Sequence, residues 1–265
     1  MGVSLETYRA EAHAIAYPNP QDLPAYPEPA PDDRYTDKEG SLNDLQRKIF
    51  KDVREWAELP RSQRDGLRVF RVEADAGAGK TFTANIITNY LRARGHRVMC
   101  SAYTAKAATT YHGGSTCHRV FNQNVCTDGE APKADLCAVG STKGGKAGAL
   151  IYAADVVIVD EIPMMRASEL DAIANALQRL QFTGALLLLG NNAQLAYVIE
   201  HAITADVLRH HVTSSSTYHA RGTTRHYRLK TNVHMAGDMD FYNACTEIGY
   251  GVLQPLGETA ATGMH

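Results

Sequence analysis

The stretch Arg68-Val69-Phe70-Arg71-Val72-Glu73-Ala74-Asp75-Ala76-Gly77-Ala78-Gly79-Lys80-Thr81 decides the fold. Alternating apolar residues from Leu67 to Val72 predict a strand. A loop of small residues follows, closes on Gly-Lys-Thr, and leads into a helical pattern from about Thr81 to Arg94. Strand, small-residue loop and helix in this order form a phosphate-binding P-loop. In such a loop, backbone N–H groups and the positive end of the helix converge on the phosphates of a nucleotide. Lys80 is placed to reach the β and γ phosphates, and the Thr81 hydroxyl to hold Mg²⁺. One position departs from the pattern. Ala74 stands where glycine is usual, and glycine is favoured there for its backbone freedom.

A second signal lies eighty residues on, in Val156-Val157-Ile158-Val159-Asp160-Glu161. Four apolar residues predict a buried parallel strand, and two carboxylates follow at its C-terminal end, where ligands bind in such sheets. Asp160 is expected to bind Mg²⁺, directly or through water. Glu161 is expected to orient and deprotonate the attacking water. A third apolar strand, Ala185 to Leu189, runs into Gly190-Asn191-Asn192-Ala193-Gln194. Gln194 is a candidate sensor of the γ-phosphate. Each signal has a plainer reading by itself: a Gly-rich turn, two acids at a strand end, a loop glutamine. Their order joins them into a nucleoside-triphosphate site.

Outward from this centre, the chain divides into three. Residues 1–40 carry Pro18, Pro20, Pro24, Pro27, Pro29 and Pro31 among acidic residues. They predict an extended or disordered leader. Ser41 with Asp44 three residues later predicts a helix start, with Leu42, Leu45, Ile49 and Val53 as its apolar stripe. Gly95 stops the helix after the P-loop, and Arg97 to Ala102 is the next strand. Thr104 to Tyr111 is a short helix ending at Gly113-Gly114, and another starts near Thr116. Residues 125 to 150, rich in Gly, Lys and Ala, are expected to be a surface insertion. Ser168 to Gln181 is an amphipathic helix. Strands alternating with helices predict an α/β domain with a parallel sheet covered on both faces, spanning 41–255, with a tail at 256–265.

Of the 265 residues, 44% are hydrophobic and 21% charged, and the net charge is −2. Near-neutrality neither advertises nor excludes a nucleic-acid groove. No apolar run is long enough to span a bilayer, and the N-terminus lacks the order of a secretory signal. The five cysteines form no C-x-x-C pair and read as reduced intracellular thiols.

The combination of segments resembles the PIF-type DNA helicases and the helicase modules of Helitron transposons. It comprises the P-loop, Ala102-Tyr103-Thr104-Ala105-Lys106-Ala107-Ala108, Gly113-Gly114-Ser115-Thr116-Cys117-His118 and Asp160-Glu161-Ile162-Pro163-Met164. The resemblance runs from about Leu42 to Gly251. It implies a RecA-like P-loop NTPase domain, the first motor domain of an ATP-dependent DNA helicase of 5′ to 3′ polarity, acting in repair, recombination or transposon replication. It also implies ATP and Mg²⁺ as cofactors and single-stranded DNA as partner. Gln46 would contact adenine, and Gly77, Ala78, Gly79, Lys80, Thr81 and Phe82 would form the rest of the nucleotide site. Thr104, Thr116 and His118 fall in segments that line the DNA path. Hydroxyls and imidazoles suit phosphate oxygens, and Tyr103 or Phe121 could stack on a base. In a eukaryote the implied compartment is the nucleus.

Beyond Ala74, the family pattern is broken in two segments, the first of which also has Ala196-Tyr197 in place of two prolines. Asn191 replaces an aspartate, and His234 replaces the arginine expected to stabilise charge on the γ-phosphate. The pattern ends near Gly251, so the expectation is a fragment or degenerate copy lacking the second motor domain. Two readings stay open: a DNA-stimulated ATPase, favoured by Lys80, Asp160 and Glu161, and a nucleotide- and DNA-binding remnant without turnover.

Overall fold

The structure is a computed structural model that describes residues 29–124, 133–134, 142–191, 210–219 and 224–230. Its centre is a six-stranded sheet of order β3-β2-β4-β5-β1-β6. The strands are β1 (Arg68–Ala74), β2 (Val98–Ala102), β3 (Ser115–Thr116), β4 (Val156–Asp160), β5 (Ala185–Gly190) and β6 (Thr224–Leu229). Every pairing is parallel. All strands therefore end on one edge of the sheet, and the loops leaving that edge share one neighbourhood.

The strands are the apolar runs expected from the sequence. β4 and β5 are buried along their whole length, as a sheet covered on both faces requires. One face carries Val69, Val157, Val159, Leu186 and Leu188 against α6 (Ala167–Arg179), through Leu170, Ile173 and Leu177. The other carries Phe70, Val72, Ile158, Leu187 and Leu189. It is covered by α1 (Asp44–Glu58) through Ile49, Phe50 and Val53, and by α2 (Lys80–Arg92) through Ile86, Ile87 and Leu91. Period-2 alternation thus sends successive residues of one strand into two separate cores.

Three expectations shift. Helix α1 starts at an Asn43 cap rather than at Ser41. Asn43 Oδ1 accepts the Gln46 N–H (2.9 Å) and Gln46 Oε1 accepts the Asn43 N–H (3.1 Å). That reciprocal box satisfies two orphan donors at once, which Ser41 has no partner to do. Ser41 instead ends a 3₁₀ turn, its hydroxyl donating to the Lys38 carbonyl.

Part of the stretch read as leader has a fixed place. Residues Asp33–Tyr35 and Glu39–Ser41 form 3₁₀ turns. The Asp32 N–H donates to Asn89 of α2, and the Tyr35 ring lies 6.2 Å from that of Phe82. Residues 1–28 lie outside the described residues.

The supposed surface insertion ends in helix α5 (Thr142–Ala153), whose Ile151 is fully buried in the α6-side core. Its glycines and lysines masked the short apolar stripe of Ala147, Leu150 and Ile151. Burial of that stripe outweighs the weak local propensity.

Two four-residue helices complete the site edge: α3 (Ala105–Ala108) after β2, and α4 (Cys117–Val120) after β3. Among the described residues, no helix is long and apolar enough to cross a membrane.

Candidate nucleotide and DNA site

The P-loop joins β1 to α2. Gly77 (φ 75°) and Gly79 (φ 79°) take left-handed backbone angles that turn the chain into the helix. Gly79 is also steric. A Cβ there would sit 2.5 Å from Gln46 Nε2, which donates to the Ala78 carbonyl at 3.2 Å. Helix α1 therefore braces the loop through one buried glutamine. Ala74 does not strain the loop. It is the last residue of β1, paired with Leu229, and it is not among the residues of positive φ. Its backbone is extended, which alanine adopts as readily as glycine.

The two carboxylates at the end of β4 turn in different directions. Asp160 is 2% exposed. Its Oδ1 accepts from Lys80 Nζ at 2.6 Å and from the Glu161 N–H at 2.7 Å. Its Oδ2 accepts from the Tyr111 hydroxyl at 2.6 Å. Burial, and then the adjacent Asp160 charge, push the Tyr111 phenol well above its usual range. It therefore stays a donor at every working pH. Thr81 hydrogen-bonds the same phenol.

Glu161 has φ 60° and ψ 37°, a left-handed conformation that is rare outside glycine and asparagine. Such angles concentrate at functional sites held by their surroundings. What holds it is the 3₁₀ turn Ile162–Met164 behind it and Thr104 in front. Thr104 Oγ1 donates to Glu161 Oε2 at 2.6 Å and caps α3 by accepting the Ala107 N–H at 3.2 Å.

Gly190 supports this arrangement. A Cβ on it would lie 2.6 Å from Pro163 Cδ and 2.8 Å from Ile162 Cγ1. Gly190→Ala is therefore expected to lower stability by about 1–3 kcal/mol, the range for overpacking a filled site. It should lower nucleotide turnover as well, because the turn that moves carries Glu161. Thermal melts and phosphate-release rates of the variant check both effects.

Thr81 and Asp160 offer a hydroxyl and one carboxylate beside the P-loop. Among the described residues, no cluster of three His, Cys, Asp or Glu side chains could hold a metal by itself. That set fits Mg²⁺, which takes one or two protein oxygens and fills the rest with water and substrate phosphate. It does not fit an ion held wholly by protein.

The remaining expected residues scatter around this centre. Phe82 is 37% exposed and lies beside Tyr35. Thr116 ends β3 and is the N-cap residue of α4, and His118 is half-buried with its ring 5.5 Å from that of Tyr103. Lys106 and Arg119 are exposed on α3 and α4. Tyr103, Thr104, Lys106, Thr116 and His118 thus belong to the segments that leave the ends of β2 and β3, while Arg119 lines a cavity with Arg92, Arg97 and Met99. Phe121 cannot stack on a base, because it is fully buried in the α6-side core. Asn191 is buried at the end of β5. Gln194 and His234 lie outside the described residues. Tyr111 is the residue that sequence reading missed. It was expected to end a helix from Thr104, but the helix stops at Ala108 and Tyr111 lies in the turn beyond it; only its tyrosine hydroxyl, one step before His112-Gly113-Gly114, hinted at more than packing.

The family model described as PIF1-like helicase matches residues 41–253. The chain is 31% identical over 150 residues to the ATP-dependent DNA helicase PIF4 of Trypanosoma brucei brucei, covering 54% of this chain and 18% of that protein. It is 27% identical over 181 residues to the ATP-dependent DNA helicase Pif1 of Campylobacter jejuni, covering 67% of this chain and 40% of that protein. The fold superposes on the crystal structure of Pif1 helicase from Candida albicans with a TM-score of 0.59 and 23% identity, over 78% of this chain and 44% of that one. It also superposes on Bacteroides Pif1 in complex with ADP-AlF3 and single-stranded DNA, with a TM-score of 0.55 and 18% identity, over 80% and 47% of the two chains. The chain spans less than half the length of each.

Proposed function

Since the chain belongs to the PIF1-like helicase family, we propose that it is the ATP-hydrolysing first motor domain of a DNA helicase, with turnover set by single-stranded DNA. The observation that carries this reading is the Lys80–Asp160 pair at the mouth of the P-loop, with Glu161 the next residue along the sheet edge. The Lys80–Asp160 pair is 16% and 3% exposed on its side chains. It keeps both charges paired until phosphates replace Asp160 as partners of the ammonium. Loop N–H groups and the α2 N-terminus then face the phosphate oxygens. Gln46, fixed by its capping box and by Ala78, stands behind the loop for adenine. Thr81 and Asp160 would hold Mg²⁺, which when bound neutralises charge on the β and γ phosphates.

Glu161 orients a water against the γ-phosphorus and takes its proton. The water oxygen bonds to phosphorus as the bond to the β–γ bridging oxygen breaks, and ADP leaves. Asn191 keeps the reach of the family aspartate at the end of β5 without its charge. The line of Thr116, His118 and Tyr103, with Lys106 on α3 beside it, suits a phosphate backbone with stacked bases.

The purified chain, given Mg-ATP, is expected to release phosphate faster when a single-stranded oligonucleotide is added. Stimulation should fade as salt rises, because phosphate contacts dominate such binding. No release with or without the oligonucleotide would overturn the proposal in favour of a binding remnant.

A further inference from the structure

The sheet order shows where Glu161 is drawn. β4, which carries it, lies next to β2 on one side. On the other side β5 intervenes before β1 and the P-loop, a distance of about 10 Å at the usual strand spacing. Asp160 reaches across to Lys80 of the P-loop. Glu161 is bonded the opposite way, to Thr104 at the end of β2. Its carboxylate is thus turned from the phosphates it would serve.

Thr104 has one hydroxyl proton, and Glu161 holds it. The hydroxyl's acceptor side takes the Ala107 N–H and starts α3. A phosphate oxygen of DNA arriving at this edge competes for that single proton. Whichever acceptor wins, the other is left without it.

We propose that Thr104 is a positioning residue that parks Glu161 away from the P-loop, and that a DNA phosphate taking the Thr104 proton releases Glu161 for hydrolysis. This rests on the reading of the β2–β3 edge as the DNA path. The left-handed backbone of Glu161 fits such a device, because a carboxylate on a constrained peptide swings by side-chain rotation alone. A threonine that only capped a helix would have its proton directed elsewhere and would not touch the base.

The test compares ATP hydrolysis by wild type, Thr104→Val and Thr104→Ser, each with and without a single-stranded oligonucleotide. Thr104→Val keeps the shape and removes the proton. Thr104→Gly also removes the proton, without keeping the shape but with little harm to the helix start, and serves if the valine variant folds poorly. Oligonucleotide affinity is read separately by fluorescence anisotropy. DNA-free hydrolysis by Thr104→Val should rise about tenfold or more, tenfold being the lower end of the effect of one lost hydrogen bond to a charged group. The oligonucleotide should then add little further rate. Thr104→Ser should restore the low basal rate and the stimulation.

A DNA-free rate in Thr104→Val at or below the wild-type value, with wild type still stimulated, overturns this proposal and leaves the proposed function standing. A raised rate in Thr104→Val with no stimulation of wild type supports the parked base and refutes the DNA path. Absence of hydrolysis in every protein refutes both.

Discussion

Replacing Lys80 with alanine should weaken ATP binding by about 10- to 150-fold, the range spanned by a charge-assisted hydrogen bond of about 1.5–3 kcal/mol. Lys80 is the first residue of α2, and its ammonium sits 2.6 Å from Asp160 Oδ1. In the nucleotide-free protein that contact neutralises a carboxylate that is 2% exposed. The substitution therefore acts twice. It removes the cation that would meet the β and γ phosphates, and among the described residues it leaves the Asp160 carboxylate with the Tyr111 hydroxyl and the Glu161 N–H. A buried carboxylate stripped of its cation destabilises the fold, so the variant should also melt at a lower temperature than wild type. Calorimetric titration with Mg-ATP, run below both melting points, separates the two effects. Equal affinity in the two proteins would place the nucleotide elsewhere.

The sheet was legible because its strands follow the rule for buried parallel sheets. The runs of β4 and β5 are short, apolar without interruption and bounded by polar or glycine residues, as a strand covered on both faces requires. The P-loop was legible because its chemistry restricts its residues: glycine where φ is positive, lysine and threonine where phosphate and metal are met.

The glycine usual at position 74 is not required here. The motif names a residue type there, whereas the backbone at Ala74 is ordinary strand. The start of α1 was misplaced for a related reason. Ser41 and Asn43 are both good caps, and only the reciprocal bond with Gln46 decides between them. Helix α5 was hidden by glycine and lysine because its stability comes from burying Ile151, a tertiary effect that composition does not report.

The same limit applies within the site. Lys80, Asp160 and Glu161 were found from spacing. That Asp160 and Glu161 turn in opposite directions, toward Lys80 and toward Thr104, depends on strand order, which no single motif contains. Tyr111 was missed because its partner lies 49 residues away across the sheet edge. Phe121 was taken for a candidate base platform because an aromatic near a polar segment reads the same in sequence whether it points outward or into the core.

Glu161→Gln is the second large effect. Glutamine keeps the length and the left-handed backbone and still accepts the Thr104 proton through its carbonyl oxygen, but it cannot take a proton from water. Loss of a general base of this type slows the chemical step by about 10²- to 10⁴-fold. ATP affinity should stay at the wild-type level, because Glu161 contacts neither the P-loop backbone nor Lys80 in the described hydrogen bonds. The decisive measurement is phosphate release at saturating Mg-ATP and saturating single-stranded oligonucleotide, by wild type and Glu161→Gln side by side, with bound ATP quantified in both. The expected result is turnover in wild type, with its near-complete loss in a variant that still holds ATP. Equal rates in the two proteins would show that the carboxylate after β4 is not the base, and that the site described here does not perform the hydrolysis.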